Sequence, residues 1–435
     1  MNCGWAASDI TPEAGIHMGG YWGRTSGATG IHDPLFVRAL VFSHDGTLAA
    51  LITLDVIGLD ADTVRDLRLR VAKRTKIAAG NVMICCSHTH AGPLTMQFRG
   101  MGNVDYDYLS RLLEVATEVV ANAVSSTRPV CFSHAMPKVT FGVNRRNGEG
   151  GPVASRAHVL RIDRDDGCRA VLFCYACHPA VLGNCNHSIS GDYPTAAVRF
   201  IERETNAFPM FVNGACGDIN PRIRNGGFKD VEEIGSELGN AVVKSFSTAT
   251  EIDAECLQCR SICKELPLID PPSKVQIILE RLTLKLKATT KRAFGGDYWS
   301  LLALRAQLHW AEEMLELIQS GTRGLTQSFE LQGFRIGSAV LLGMEGEMFV
   351  RYQHELEKNS PFKPTIVCGL ANGCIGYVPT ADEYQHGGYE VGTPYTFKLT
   401  AKTSAYRVYP SIQMLSPESE GILREAALHM LTKFV

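Results

Sequence analysis

A strand–helix–strand order that recurs three times predicts an α/β protein with a largely parallel or mixed sheet. Residues 47–54 (TLAALITL) form an apolar run of strand length, and 81–86 (NVMICC) form another. Between them, 61–77 carry Val64, Leu67, Leu69, Val71 and Ile77 at helical spacing. The order returns at 170–176, 194–204 and 209–213, and again at 337–343, 347–358 and 365–370. Parallel neighbours need a long crossover, which an intervening helix supplies. Asp192 is placed to cap the second of these helices, and Pro194 falls in its first turn, where a missing N–H has no intrahelical partner to lose. Helical spacing also marks 229–247, 297–319 and 417–433, and 325–334 reads as a strand. The expectation is one continuous domain over residues 1–435, built from repeated βαβ units, with a helical insertion near 270–320.

Charge and composition narrow the function. Lys plus Arg is 43 against 45 for Asp plus Glu, a net charge of −2, which argues against a duplex nucleic-acid binder or a polybasic membrane-surface protein. Hydrophobic residues make up 45% and charged residues 20%, the balance of a globular chain with a substantial core. No apolar run reaches the roughly 18 residues of a membrane span, so no stable membrane insertion is expected. The opening MNCGWAASDITPEAG lacks the basic and apolar regions of an export signal, so a cytoplasmic location is expected. The 14 cysteines then read as reduced thiols rather than a disulfide framework. Cys256, Cys259 and Cys263 have a spacing that invites a metal, but no fourth ligand is evident, and a structural or incidental role is the favoured reading. Symmetry priors favour a homodimer.

The chemistry sits just beyond the strands. In open parallel sheets, ligands bind past the carboxyl ends of the strands. Asp55 comes after the first run, and His88 and His90 come after the second in SHTHAGP. Cys177-His178-Pro179 comes after 170–176, and Cys216, Asp218 and Asn220 after 209–213. Glu345 and Glu347 come after 337–343, and Tyr377 after 365–370. Groups far apart in sequence thus converge on one sheet edge, and imidazole, carboxylate and phenol suit Zn²⁺. Residues two apart in extended backbone point to the same side, so His88 and His90 can reach one site together. Arg145 and Arg146 sit in a Gly-rich loop, where an arginine can bind a carboxylate or polarise a carbonyl. Asp55 and Asp218 are candidates to orient metal-bound imidazoles. The chain has no GxSxG elbow and no P-loop.

These pieces, taken in order, resemble the catalytic domain of the neutral (alkaline, non-lysosomal) ceramidases. The matching segments are SHTHAGP (87–93), Asn144-Arg145, CHPA (177–180), CGDINP (216–221), EGE (345–347) and GYVPTADEYQHGGYE (376–390), with a weaker match at TGIHDPLFVRALVF (29–42). The resemblance implies a zinc amidase that splits an N-acyl amide into an acid and an amine. It implies His88, His178, Glu347 and Tyr377 as zinc ligands, choosing Glu347 over Glu345. It implies His90 as an acid/base group beside the metal, and Arg145 and Tyr389 as lining for the substrate's polar end. The chain departs from the family pattern at Asn220, where those ceramidases have serine, and at Glu345, where they have proline. Ceramidases of this family also carry an immunoglobulin-like C-terminal domain without counterpart in these residues. A small or soluble amide is therefore the expected substrate, rather than membrane ceramide. Two other uses of the residues stay open. One is acyl transfer or amide-forming cyclisation at the same zinc site, and the other is a cysteine hydrolase using Cys216.

Overall fold

Alternation along the strands decides the layering. In the strand Phe36–His44, Val37, Ala39 and Val41 face one way and Leu40 and Phe42 the other, and all are buried. A strand apolar on both faces must be covered on both. The computed structural model describes residues 1–21, 24, 26–148, 150–295, 298–392, 404–411 and 413–435, with the side chains of 298–300 excepted. Residue 297, where the expected helix at 297–319 begins, lies outside this set.

The large sheet has nine strands. Its order is Phe208–Asn213, Arg169–Tyr175, His158–Arg164, Arg128–Ala135, Asn2–Asp9, Phe36–His44, Thr47–Leu54 and Val82–Cys86, with Thr250–Ile252 pairing on Arg128–Ala135. A second sheet of four strands runs Leu257–Pro267, Thr326–Ile336, Ala339–Met344 and Thr365–Cys368. Helices α1 (Ala61–Thr75), α2 (Tyr106–Ser125), α3 (Asp192–Thr205) and α4 (Phe228–Ser245) cover the outer face of the large sheet. Helices α5 (Lys274–Ala293) and α6 (Tyr298–Gln319) pack on each other, and α7 (Val350–Asn359) and α8 (Ser419–Thr432) cover the second sheet. Leu51, Met83, Leu172 and Met210 of one sheet meet Phe334, Leu341 and Ile366 of the other. The architecture is four-layered, α/β/β/α.

All three expected βαβ units are present and parallel. Thr47–Leu54 pairs with Val82–Cys86 across α1, and Arg169–Tyr175 with Phe208–Asn213 across α3. Ala339–Met344 pairs with Thr365–Cys368 across α7. The sheets are mixed, one of the two forms expected; what the sequence did not give is the division of these units between two sheets. The other pairings within both sheets are antiparallel, and the third unit belongs to the second sheet rather than to one open sheet. Burial between two sheets makes strands read as continuous apolar runs, as parallel strands under helices do, so the sequence pattern does not separate the cases. The insertion expected near 270–320 resolves into α5 and α6.

Cys256, Cys259 and Cys263 do not converge. Cys259 and Cys263 lie four residues apart on the extended strand Leu257–Pro267, which separates them by roughly 13 Å, too far to share an ion.

Candidate metal centre

The three crossovers bring the loops at their strand ends to one place. His88 comes two residues after its strand, with φ +69°, so the chain turns there instead of continuing extended. The same-side rule for extended backbone therefore does not apply, yet the two rings of the His-Thr-His motif still lie 4.9 Å apart. His178 comes after Arg169–Tyr175, and its ring lies 5.1 Å from that of His88 and 5.6 Å from that of His90. Asn213 locks the two loops together, donating to Ser87 O at 3.2 Å while accepting from Cys177 N at 3.4 Å. The His90 amide donates to Pro179 O at 3.1 Å. Gly20 (φ +88°) passes so close that a Cβ there would sit 2.5 Å from His90 Cγ.

Glu347 is not the first residue of a helix, as the sequence spacing suggested. It lies in the two-residue strand Glu347–Met348, and α7 begins only at Val350. That short strand pairs in parallel with Tyr377–Val378, setting Glu347 directly beside Tyr377. Glu347 Oε2 lies 3.0 Å from His178 Nε2 and 3.4 Å from His88 Nε2. Burial opposes its ionisation, but the imidazoles of His88 and His178 outweigh that and hold the carboxyl well below its usual range. Oε1 accepts a hydrogen bond from the hydroxyl of Tyr409.

Both imidazoles beside Glu347 are oriented by backbone. His88 Nδ1 lies 2.6 Å from Ile57 O, and His178 Nδ1 lies 3.1 Å from Ile219 O. A carbonyl only accepts, so each Nδ1 donates to its carbonyl and each Nε2 is turned toward Glu347. Burial and the Arg145 charge lower the His178 pKa, opposing a second proton on that ring. Two imidazole Nε2 atoms and a carboxylate oxygen therefore converge on one buried point. Both ring nitrogens of His90 are shielded from water and lack a hydrogen-bond partner among the described residues, as does His88 Nε2. Buried acceptors left so cost free energy unless a cation joins them. His88, His90 and His178 can each offer a nitrogen within 4.8 Å of the others, the only such group among the described residues. The residues present thus fit a metal ion.

The expected orienting carboxylates are a correction. Asp55 accepts from Phe36 N at 2.9 Å and pairs with Arg38 at 3.3 Å. Asp218 accepts from Val350 N at 2.8 Å and Asn144 Nδ2 at 2.9 Å. Neither is hydrogen-bonded to a histidine, because the carbonyls of Ile57 and Ile219 already occupy the Nδ1 positions.

Arg145 donates to Gly217 O at 2.7 Å and to Asn220 Oδ1 at 3.3 Å, and pairs with Glu390 at 2.9 Å. Its guanidinium lies over the Tyr377 ring at 5.2 Å. Asn220 thus holds the arginine from the position where the resembled family has serine. Tyr389 is part-exposed, with its ring 5.9 Å from that of Tyr377. Arg146 belongs to the scaffold, bound to Glu383 and Glu390. Tyr409, also 5.9 Å from Tyr377, is the residue that sequence reasoning missed; nothing in the spacing of its loop marks it.

Glu345 and Glu347 part company at Gly346, whose φ is +120°. Glu345 turns away to accept from Glu330 N at 2.9 Å, and burial pushes its carboxyl up to about 7 from 4.5. The folded state then holds a proton the unfolded state has lost between those values, so stability falls as pH rises through that window. At pH 8 the full penalty, roughly 3 kcal/mol, is present. Glu345→Gln is expected to remove this slope and to raise stability at pH 8 while changing little at pH 4. Asp60, Asp192 and Asp218, each pushed up to about 6 by burial, keep a slope of their own, so urea unfolding across the window checks it by difference, and a slope no shallower in the variant would refute the assignment.

Comparison with known proteins agrees with this fold. No family model matches the chain. It is 28% identical over 260 residues to a neutral ceramidase of Mycobacterium tuberculosis, covering 51% of this chain and 40% of that protein. It is 28% identical over 245 residues to neutral ceramidase 2 of Arabidopsis thaliana, covering 50% and 31%. The match thus spans well under half the length of these curated relatives. Among solved structures, neutral ceramidase from Pseudomonas aeruginosa superposes with a TM-score of 0.72 at 19% identity, over 99% of this chain and 74% of that one. A structure described as ceramidase complexed with C2 gives 0.74 at 17%, with the same coverage. Fold and site define an α/β/β/α domain built around a buried histidine–carboxylate centre. The chain shares its fold with the solved neutral ceramidases and is similar in sequence to two curated ones over about half of its length.

Proposed function

We propose that this chain hydrolyses an N-acyl amide, adding water across the carbon–nitrogen bond to give a carboxylic acid and an amine, with Zn²⁺ as its metal. What supports the reading most is the convergence of His88 Nε2, His178 Nε2 and Glu347 Oε2 on one buried point, beside a His90 ring whose nitrogens have no partner among the described residues. His88, His178, Glu347 and Tyr377 would hold the ion, with His90 beside it. A divalent ion held there supplies Lewis-acid polarisation of an acyl carbonyl and makes water a nucleophile near neutral pH.

The chain's own groups supply the rest. Burial and the neighbouring imidazoles hold His90 well below its usual pKa, so it enters the reaction neutral and able to take a proton. It can return that proton to the leaving amine. Arg145, fixed by Gly217 and Asn220, presents positive charge to the oxyanion that develops on the acyl oxygen. Tyr389 stands at the exposed side of Tyr377, where a phenol hydroxyl can bond the substrate's polar end. The Cys216 thiol is buried and its pKa is pushed well up by burial and then by Glu347, the reverse of an activated nucleophile.

The test is metal analysis of the purified protein joined to product analysis on a short-chain N-acyl amine. Stoichiometric zinc, loss of hydrolysis on chelation with recovery on zinc return, and retained activity in Cys216→Ala are expected. Activity that survives complete metal removal would overturn the proposal. N-acylated products formed from added amines in place of free acid would reassign the site to acyl transfer.

A further inference from the structure

Helix α5 carries an apolar face that the described residues do not cover. Ile277 and Leu284 point inward and are buried, Ile277 among Trp310, Met314 and Tyr406. Val275, Ile278, Leu279, Leu282 and Leu286 are exposed, Val275 by 66% and Leu286 by 67%. At 3.6 residues per turn these five fall within about 100° of one another, a continuous stripe. Phe294, 86% exposed, comes just past the helix end. Scattered apolar residues on a surface need no explanation, but a stripe three turns long does.

The charge on this helix is as uneven as its hydropathy. In a chain of net charge −2, α5 holds six basic residues against one acidic. That one, Glu280, pairs with Arg407, and Arg281 pairs with Glu312 of α6 at 3.1 Å. Lys274, Lys285 and Arg292 fall together along one flank of the stripe, within roughly 40° of Ile278. All three are exposed, with no carboxylate partner among the described residues. An apolar stripe edged by cations is the pattern of a helix lying in the plane of a membrane surface. Antiparallel self-pairing is disfavoured, because two copies meeting on this stripe that way would bring their cationic flanks together.

The opposite side of α5 is tied to the centre. Arg407, held by Glu280, stacks over Trp310 of α6 at 4.3 Å, and it lies two residues from Tyr409, which bonds Glu347. Arg99 joins Glu313 of α6 at 3.1 Å to the carbonyls of Tyr409 and Pro410. The helix that offers the stripe thus grips the segment that completes the candidate site.

We propose that α5 is a docking surface for an anionic lipid bilayer, lying on it through Val275, Ile278, Leu279, Leu282 and Leu286, with Lys274, Lys285 and Arg292 at the headgroups. Among the described residues no helix is long and apolar enough to cross a membrane, so the contact is peripheral. The proposal deepens the amide-hydrolase reading by naming where its substrate is met, and it departs from the soluble substrate the sequence suggested.

Vesicle sedimentation tests it, with the full chain and two vesicle types, phosphatidylcholine alone and phosphatidylcholine mixed with phosphatidylserine. Binding to the mixed vesicles, release at high salt, and little binding to the neutral ones are expected. The double variant Leu282→Glu, Leu286→Glu should bind at least ~10-fold more weakly. Lys285→Ala and Arg292→Ala, which disturb no packing, should each cost about fivefold. Hydrolysis of a soluble N-acyl amine should be unchanged in all of them. No binding by the parent chain, or equal binding by the variants, overturns the proposal. A dimer in solution that Leu282→Glu, Leu286→Glu dissolves would assign the stripe to a second copy instead. Partition is read without catalysis, so failure of the hydrolase reading and failure of this one are separable.

Discussion

Glu347→Gln is expected to abolish hydrolysis while leaving the fold standing. The substitution keeps the volume of a side chain with no exposed surface, and its amide oxygen can still accept from Tyr409. It removes the one negative charge that faces His88 and His178. Bound zinc should fall well below stoichiometric, and kcat/KM should drop by roughly 10³-fold or more, since the electrostatic help of a bound metal is worth several kcal/mol. Metal content measured beside kcat/KM checks both halves. Full metal content with unchanged kcat/KM would show that the carboxylate is a structural partner of the two imidazoles only.

Arg146→Ala should be the most destabilising single change in the loop that carries Arg145. Arg146 donates to Glu383 at 2.9 Å, to Glu390 at 2.6 Å and to Gly387 O at 2.6 Å, and all three side chains of the two ion pairs are nearly inaccessible. Its removal leaves Glu383 with the Asn147 amide but no cation, and Glu390 with Arg145 alone, in a site that water barely reaches, which costs about 3–5 kcal/mol for a broken buried pair. Lysine is no substitute, because one ammonium cannot reproduce the planar fork that serves both acids. Glu390 also pairs with Arg145, so activity should fall along with stability. A denaturation midpoint within ~0.5 kcal/mol of the parent would refute this account.

Much of the fold was legible because local order carries it. Apolar runs of strand length around helical spacing specify a crossover wherever they occur, and each of the three was found in parallel pairing. The antiparallel strands Asn2–Asp9 and Arg128–Ala135 were not, since their mixed sequences (NCGWAASD, RPVCFSHA) follow no clean period. Arg146 shows a different blindness. A Gly-rich loop reads as solvated, and only the return of residues 383–390 from over two hundred positions away buries it.

The sequence by itself determined which groups stand at the ends of the strands: His88 and His90, His178, Glu347 and Tyr377. Covalent order fixes which residues succeed a strand, and strand and helix periods are written in the nearest ten residues. Tertiary structure alone decided that two sheets stack, that Tyr409 reaches Glu347, and how the backbone turns Glu347 rather than Glu345 toward the histidines, a choice the sequence carried only through its family resemblance. That last choice turns on Gly346, whose backbone at φ +120° breaks the alternation that would set Glu345 and Glu347 on one side. A side chain's direction there depends on a conformation that only the surrounding packing can select.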